Sequence, residues 1–213
     1  MNFDEVINFL RERLSKPMPG AEAHDKMKPK LKNGSSINIK HPKKPREGAV
    51  LILINNLNGK AHFPLIQRPE YEGVHSGQIA LPGGKKEEVD SDLIATALRE
   101  TEEEIGIAKS EIKVIGSLSP FFVAVSNFMV LPVVGMMDGE PDFLPDSREV
   151  VEVINPAVAD LVNEENRKEK ELPARGGITL LSPYFELSEK TVWGATAMML
   201  SEFNEILSGF RKG

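Results

Sequence analysis

The chain has 213 residues, 40% apolar and 27% charged, which suits one globular domain with a sizeable core. Its net charge of −6 argues against general nucleic-acid binding. The lack of cysteine rules out disulfides and thiolate metal sites and fits a reducing compartment, the cytoplasm by default. No apolar run approaches a membrane span or the core of a secretory leader, so neither is expected.

Residues 2 to 14 are expected to form an amphipathic helix with Val6, Phe9, Leu10 and Leu14 on its apolar face, ended by Pro17, Pro19 and Gly20. From Ala21 to Arg46 the chain lacks periodicity, and residues 26 to 46 carry eight Lys or Arg and no acid. A long loop or arm is expected, docking through Met27, Leu31, Ile37 and Ile39. It is either solvated or a clamp for an anionic substrate. The expected division is therefore an N-terminal helix and arm over 1–47 and the main domain over 48–213.

Ala49 to Ile54 is a continuous apolar run rich in β-branched residues, as in a central buried strand. Asn58-Gly59 signals a hairpin turn, with Ala61 to Gln67 as the returning strand. Val74 to Leu81 is expected to be a short strand that delivers a glycine-rich loop. Further strands are expected at Ile112–Leu118, Phe121–Val125, Phe128–Met137 and Val150–Ile154. A short helix with Pro156 near its first position should cover Pro156–Val162. Asn163 to Gly177 is charged and irregular, the composition of a mobile loop. Ile178–Leu187 suggests a hairpin, and Ala195–Leu207 a last helix. The order is mixed α and β rather than a strict βαβ repeat.

The stretch that carries chemistry runs from Pro82 to Ile107. It reads as a glycine-rich loop, a helix with Asp90 or Ser91 as its cap, and a stop at Gly106. Ile94, Leu98, Thr101 and Ile105 form the expected packed stripe. Glu100, Glu103 and Glu104 fall within an arc of roughly 100° beside that stripe. Gathered like charges cost a helix stability, and a hard divalent cation such as Mg²⁺ is one reason to tolerate them. A solvated acidic face is the alternative for the glutamates taken alone.

The run Arg99-Glu100-Thr101-Glu102-Glu103-Glu104-Ile105-Gly106-Ile107 resembles the second half of the Nudix box, R-E-U-x-E-E-x-G-U with U apolar, and departs at Thr101. The first half of the box calls for Gly and Glu where Lys85 and Ser91 stand. Gly84 and Asp90 lie one position earlier, as one extra loop residue would produce. Residues 66 to 85, IQRPEYEGVHSGQIALPGGK, resemble the stretch that marks the coenzyme A pyrophosphatase branch, matching at Arg68, His75, Gly77, Gln78, Pro82, Gly83, Gly84 and Lys85 and departing at Gly73 and Leu81. Pro183-Tyr184-Phe185 and Val192-Trp193-Gly194-Ala195-Thr196-Ala197 resemble that branch's P-x-F and I-W-G-x-T-A. Three motifs in order, across residues 48 to 207, are far more specific than one.

The resemblance implies a Nudix-type α/β/α sandwich around a mixed sheet. It implies a hydrolase that cuts the diphosphate of coenzyme A or an acyl-CoA to 3′,5′-ADP and 4′-phosphopantetheine, with Mg²⁺ or Mn²⁺ held by Glu100, Glu103 and Glu104. Arg99 would orient the glutamates through an ion pair. Arg68 and Lys85 are the expected phosphate contacts, with His75, Gln78, Gly83 and Gly84 lining the substrate. His75 reads either as a general base or as a hydrogen-bonding loop residue. Asp142, Asp146, Glu149 and Glu152 are four acids from which no motif selects an extra catalytic group. The alternatives are a Nudix hydrolase of another nucleoside diphosphate, such as ADP-ribose, and a ligand-sensing module without turnover. A small-molecule substrate is expected as partner, with no nucleic acid or membrane, and a homodimer is left open.

Overall fold

The structure is a computed structural model and describes residues 1–33, 43–73, 75–174 and 178–210. Helix α1 (Phe3–Arg13) is followed by the short helix α2 (Ala21–His24) and strand β1 (Lys30–Leu31). Five strands come next: β2 (Arg46–Leu57), β3 (Lys60–His62), β4 (Leu65–Gln67), β5 (Ile79–Ala80) and β6 (Gly83–Lys85). Helix α3 (Leu93–Ile105) precedes β7 (Lys113–Ser117), β8 (Phe121–Val123), β9 (Phe128–Met136) and β10 (Glu152–Ile154). Helix α4 (Val158–Leu161), strands β11 (Arg167–Ala174), β12 (Ile178–Leu187) and β13 (Lys190–Trp193), and helix α5 (Gly194–Ser208) complete the order.

The architecture is built on β2. Its apolar run alternates across the sheet: Ala49, Leu51 and Leu53 pack with Ala97 and Ile105 of α3, while Ile52 and Ile54 pack with Phe3 and Leu10 of α1 and Phe203 of α5. Helices therefore cover both faces, and burial on both sides is why this strand reads as uninterrupted apolar sequence. β2 pairs parallel with β9 and antiparallel with β3 and β6, and β7 and β8 continue the sheet beyond β9. The expected mixed sheet between helices is what the chain forms. A second sheet holds β1, β12, β11 and β13, and a third holds β10, β4 and β5.

Several local expectations change. Ala61–Gln67 is not one strand. Pro64, which has no N–H to give a ladder, separates β3 from β4, and β4 pairs with β10 and β5 instead. Val74 lies outside the described residues, and of Val74–Leu81 only Ile79 and Ala80 are strand. The preceding loop is closed on itself by Gly77 N–H to Pro69 O and Tyr71 N–H to the Ser76 hydroxyl. The described part of 163–177 is not irregular: Arg167–Ala174 pairs with β12 along its length, and residues 175–177 lie outside the described residues. The hairpins lie on either side of Ile178–Leu187, which is a single strand. Its turn to β13 uses Ser188 and Glu189, both at positive φ. Pro156 precedes α4 rather than starting it, and its carbonyl accepts from Phe63 N–H.

The N-terminal segment is also more ordered than a loop. On α1 the buried face is Phe3, Val6, Ile7 and Leu10, with Phe9 set edge-on against Phe210. Met27 is fully buried and Leu31 pairs with Leu180, as the docking expectation required. Ile37 and Ile39 lie outside the described residues. What pins this segment is Glu202, a fully buried carboxylate on α5. Its Oε1 accepts from Gly20 N–H at 2.8 Å and the Ser119 hydroxyl at 2.7 Å, and its Oε2 accepts from Ser119 N–H at 3.1 Å and lies 2.9 Å from His24 Nε2. Although burial alone would raise it, these donors together hold the Glu202 carboxyl below its usual range. Removing one side of a buried, hydrogen-bonded pair strands the rest. Glu202→Ala is therefore expected to cost about 3–5 kcal/mol in urea unfolding. A loss below about 1 kcal/mol would show that these donors re-pair with water.

Candidate active site

The glycine loop and α3 meet edge to face. β6 pairs with β2 through Gly83↔Val50, Gly84↔Ala49 and Lys85↔Gly48. This register leaves no room for side chains. A Cβ on Gly84 would sit 2.5 Å from the Glu100 carboxylate, and one on Gly83 would sit 2.3 Å from the Ala49 carbonyl. Gly83 also has φ of +147°, in glycine's territory.

Arg99 ties loop to helix. Its Nε and Nη2 donate to the two Asp90 oxygens at 2.9 and 3.0 Å, Nη2 donates to the Lys85 carbonyl at 3.1 Å, and Nη1 donates to Glu103 at 2.8 Å. Glu100 Oε1 lies 3.0 Å from Nη2. Hydrogen bonds from Arg99, then from Glu87 N–H and the Thr96 hydroxyl, hold the Asp90 carboxyl far below the usual range despite burial. Asp90 is thus not the helix cap, and neither is the exposed Ser91. Asp92 caps α3, accepting from Ala95 N–H at 2.8 Å, because Asp90 is turned back to Arg99. Gly84 and Asp90 each lie one position before the Lys85 and Ser91 that the motif aligns, and Asp90 is the acid that Arg99 grips. The side chain of Lys85 is exposed, and its carbonyl accepts from Arg99.

The helix is rotated from the expected stripe. Ile94 is exposed, and the buried face is Thr96, Ala97, Thr101, Glu104 and Ile105. Glu104 therefore lies on the packed face rather than beside it, at 1% exposure. Its Oε2 accepts from Gly83 N–H at 2.7 Å, and Oε1 lies 3.6 Å from Arg68 Nη2. Arg68 in turn donates to the Gly83 carbonyl at 3.1 Å. Burial pushes the Glu104 carboxyl up to about 7, against the pull of Arg68 and Gly83 N–H and with help from Glu100 and Glu149. Glu100 is also raised, by burial first, with Arg99 opposing. Glu102 faces away and accepts from Lys109 N–H.

Glu149, one of the four unassigned acids, is the one whose charge reaches Glu100 and Glu104. Asp146 is taken by Arg148 and Glu152 by Lys190. The loop that carries Glu149 docks on the end of α3: Leu144 and Asp146 N–H donate to the carbonyls of Ile105 and Glu104, which the helix leaves unsatisfied. Gly106, at φ of +76°, makes the seat, since a Cβ there would fall 2.6 Å from the Leu144 side chain. This docking depends on residues far apart in sequence and has no local signal.

His75 and Gln78 sit in the 68–78 loop, with His75 Nδ1 3.0 Å from Gln78 Oε1. Burial lowers the imidazole pKa, and Arg68 lowers it further. No described contact joins them to the glutamates, so the hydrogen-bonding role is the one seen. Residues 34–42 of the basic arm lie outside the described residues. Within its flanks, Lys26, Lys28 and Lys32 pair with Glu205, Asp25 and Glu171, and Arg46 stacks on Phe128.

Among the described residues, no three acidic or histidine side chains converge into a ready metal cluster. Glu100 and Glu103 lean on Arg99 while Glu104 leans on Gly83 N–H. The groups are nonetheless hard carboxylate oxygens of the kind a divalent cation takes, and burial raises the pKa of Glu100 and Glu104.

The chain matches the model of the NUDIX domain over residues 45–174. It belongs to the Nudix family. It is similar to Nudix hydrolase 15, mitochondrial, of Arabidopsis thaliana, 36% identical over 74% of this chain and 57% of that one. It thus spans little more than half of that relative's length. It is also similar to the mitochondrial coenzyme A diphosphatase NUDT8 of Homo sapiens, 33% identical over 75% of this chain and 68% of that one. Among solved structures, a Nudix hydrolase from M. Smegmatis, RenU, superposes with a TM-score of 0.51 at 16% identity over 84% of this chain and 93% of that one, a likeness of fold alone. No helix among the described residues is long and apolar enough to cross a membrane.

A raised carboxyl pKa binds its proton more tightly in the folded state. The stability it lends is complete below about pH 4.5 and is lost as pH rises through about 7. In chelator, Glu104→Gln removes that loss while keeping an acceptor for Gly83 N–H. Its Tm should fall less steeply across this range than that of the parent, and exceed it by about 5–10 °C at pH 8. Parallel melting curves would contradict the buried-charge account.

Proposed function

We propose that this Nudix protein is a metal-dependent hydrolase of the diphosphate bond in coenzyme A or an acyl-CoA, releasing 3′,5′-ADP and a 4′-phosphopantetheine. The observation that supports the chemistry is that Glu104, buried, accepts from Gly83 N–H, and the Glu100 carboxylate lies 2.5 Å from where a Gly84 Cβ would stand, so that helix acids and bare loop backbone share one surface. The substrate rests on Arg68, His75, Gln78 and Pro82 to Lys85, on Trp193-Gly194, and on the likeness to NUDT8.

Glu100, Glu103 and Glu104 would hold Mg²⁺ or Mn²⁺. Glu103 is 56% exposed and meets Arg99 as an i, i+4 pair, a contact worth only a few tenths of a kcal/mol, so releasing it costs little. A bound ion supplies charge neutralisation of the diphosphate oxygens and acidifies a water. Arg99 stays locked to Asp90 and keeps α3 in register with the loop. Arg68 and Lys85 contact the phosphates, and the bare backbone of Gly83 and Gly84 lets them approach. His75 and Gln78 line the substrate from the 68–78 loop. The Glu149 carboxylate, exposed beside the cluster, accepts the proton of the attacking water. We assign this chemistry to residues 48–213, against which α1, α2 and β1 pack.

The decisive assay offers CoA, dephospho-CoA, ADP-ribose and diadenosine polyphosphates with Mg²⁺ or Mn²⁺ and identifies products by mass. Expected is 3′,5′-ADP, with kcat/KM highest for CoA or an acyl-CoA. Equal or better cleavage of ADP-ribose would remove the coenzyme A assignment, and no turnover of any substrate would favour the sensing module. Glu149→Gln should lower kcat by about 10²–10⁴-fold with KM little changed, and normal kcat in that variant would sink its role as the base.

A further inference from the structure

A cleft of about 470 Å³ opens beside the glutamates, lined by Arg68, Pro69, Glu70, Tyr71, Arg148 and Glu149. Arg68 and Glu149 already have tasks in the site. Tyr71 and Arg148 have none, yet both are held in place.

Arg148 is 85% exposed, and an ion pair so placed returns little stability. It is nonetheless fixed at three points. Asp146 Oδ1 accepts from Arg148 Nε at 3.0 Å and from its backbone N–H at 2.9 Å, and Oδ2 accepts from Nη2 at 2.5 Å. Asp146 is itself anchored, because its N–H donates to the carbonyl of Glu104 at 3.1 Å. The guanidinium is therefore mounted on the same helix turn as the Glu104 carboxylate. Its Nη1 has no hydrogen-bond partner among the described residues. A pre-oriented guanidinium loses little further freedom on meeting an anion, and its planar donors match phosphate oxygens.

Tyr71 is seated by Gly73. A Cβ at Gly73 would stand 2.2 Å from Tyr71 Cε2, so the ring lies against bare backbone. Gly73 is one of the two departures from the branch motif, where a larger apolar residue is usual. In this chain the aromatic ring two residues earlier fills that space and faces solvent at 48% exposure. An exposed, backed ring is a stacking platform for a base.

We propose that Arg148, presented by Asp146, and Tyr71, seated on Gly73, bind the nucleotide end of the substrate, with Arg148 taking a phosphomonoester on the ribose and Tyr71 carrying the base. This rests on reading the site as a nucleoside diphosphate hydrolase, but it makes its own demand: the second phosphate is recognised by Arg148, outside the glutamate cluster.

The test is calorimetric binding of adenosine 3′,5′-bisphosphate and of AMP to the full chain, as parent, Arg148→Ala, Arg148→Lys and Tyr71→Ala. The parent should bind the bisphosphate about tenfold or more tightly than AMP, the worth of one charge-assisted hydrogen bond. Arg148→Ala should erase that gap without weakening AMP, and Arg148→Lys should keep part of it. Tyr71→Ala should weaken both nucleotides alike. No preference in the parent, or a preference that survives Arg148→Ala, overturns the inference, and unchanged binding in Tyr71→Ala removes the platform. Because binding is read without turnover, a protein that fails to cleave CoA yet shows the Arg148-dependent gap refutes the substrate reading and not this one.

Discussion

One guanidinium sets the geometry on which the rest of the site depends. Arg99 grips the loop acid Asp90 with two nitrogens, the loop carbonyl of Lys85, and the helix carboxylates Glu103 and Glu100. An Arg–carboxylate fork has a plane, unlike the point charge of a lysine. It therefore transmits the orientation of the glycine loop to the helix, as well as closing the distance. With Asp90 buried and Arg99 nearly so, neither partner is readily lost without stranding the other.

That coupling has a consequence for charge. Once the loop is drawn against α3, Gly83 and Gly84 lie so close that Glu104 loses its water. In return it has one backbone N–H and an arginine at 3.6 Å. The exchange is poor for a carboxylate, which is why its pKa rises to about 7. Under the proposed function a bound cation would offset this local loss, and stability would give way to function at this one position.

The scaffold makes the loss tolerable. The two faces of β2 bury apolar side chains under α3 on one side and under α1 and α5 on the other. Far from the glutamates, Glu202 closes the N-terminal segment with four donors and so makes residues 20–27 part of the body. The contrast between two buried glutamates is instructive. Glu202 is well supplied with donors and lies below its usual pKa range, whereas Glu104 is undersupplied and lies above it. Burial alone decides neither; the count and charge of the donors do.

Features with a local cause were legible in the sequence by itself. The apolar face of α1, the existence of α3 and α5, the apolar run of β2, the Asn58-Gly59 turn and the left-handed stop at Gly106 each follow from a few adjacent residues and their φ preferences or spacing. The spacing of Glu100, Glu103 and Glu104 is local, but their partners are not: Arg99 meets the first two and Gly83 N–H the third. What only the tertiary structure decided was partner choice. The charged run at Arg167–Ala174 is a strand because β12 lies beside it. Asp90 is an anchor rather than a cap because Arg99 reaches it first, and Ile94 faces solvent while Glu104 is buried because the glycine loop approaches α3 from that side. Glu149 comes to the glutamates through a loop docked on the far end of the helix. Hydrogen-bond satisfaction and desolvation are set by whichever group arrives from elsewhere in the chain, and no window of neighbouring residues contains that group.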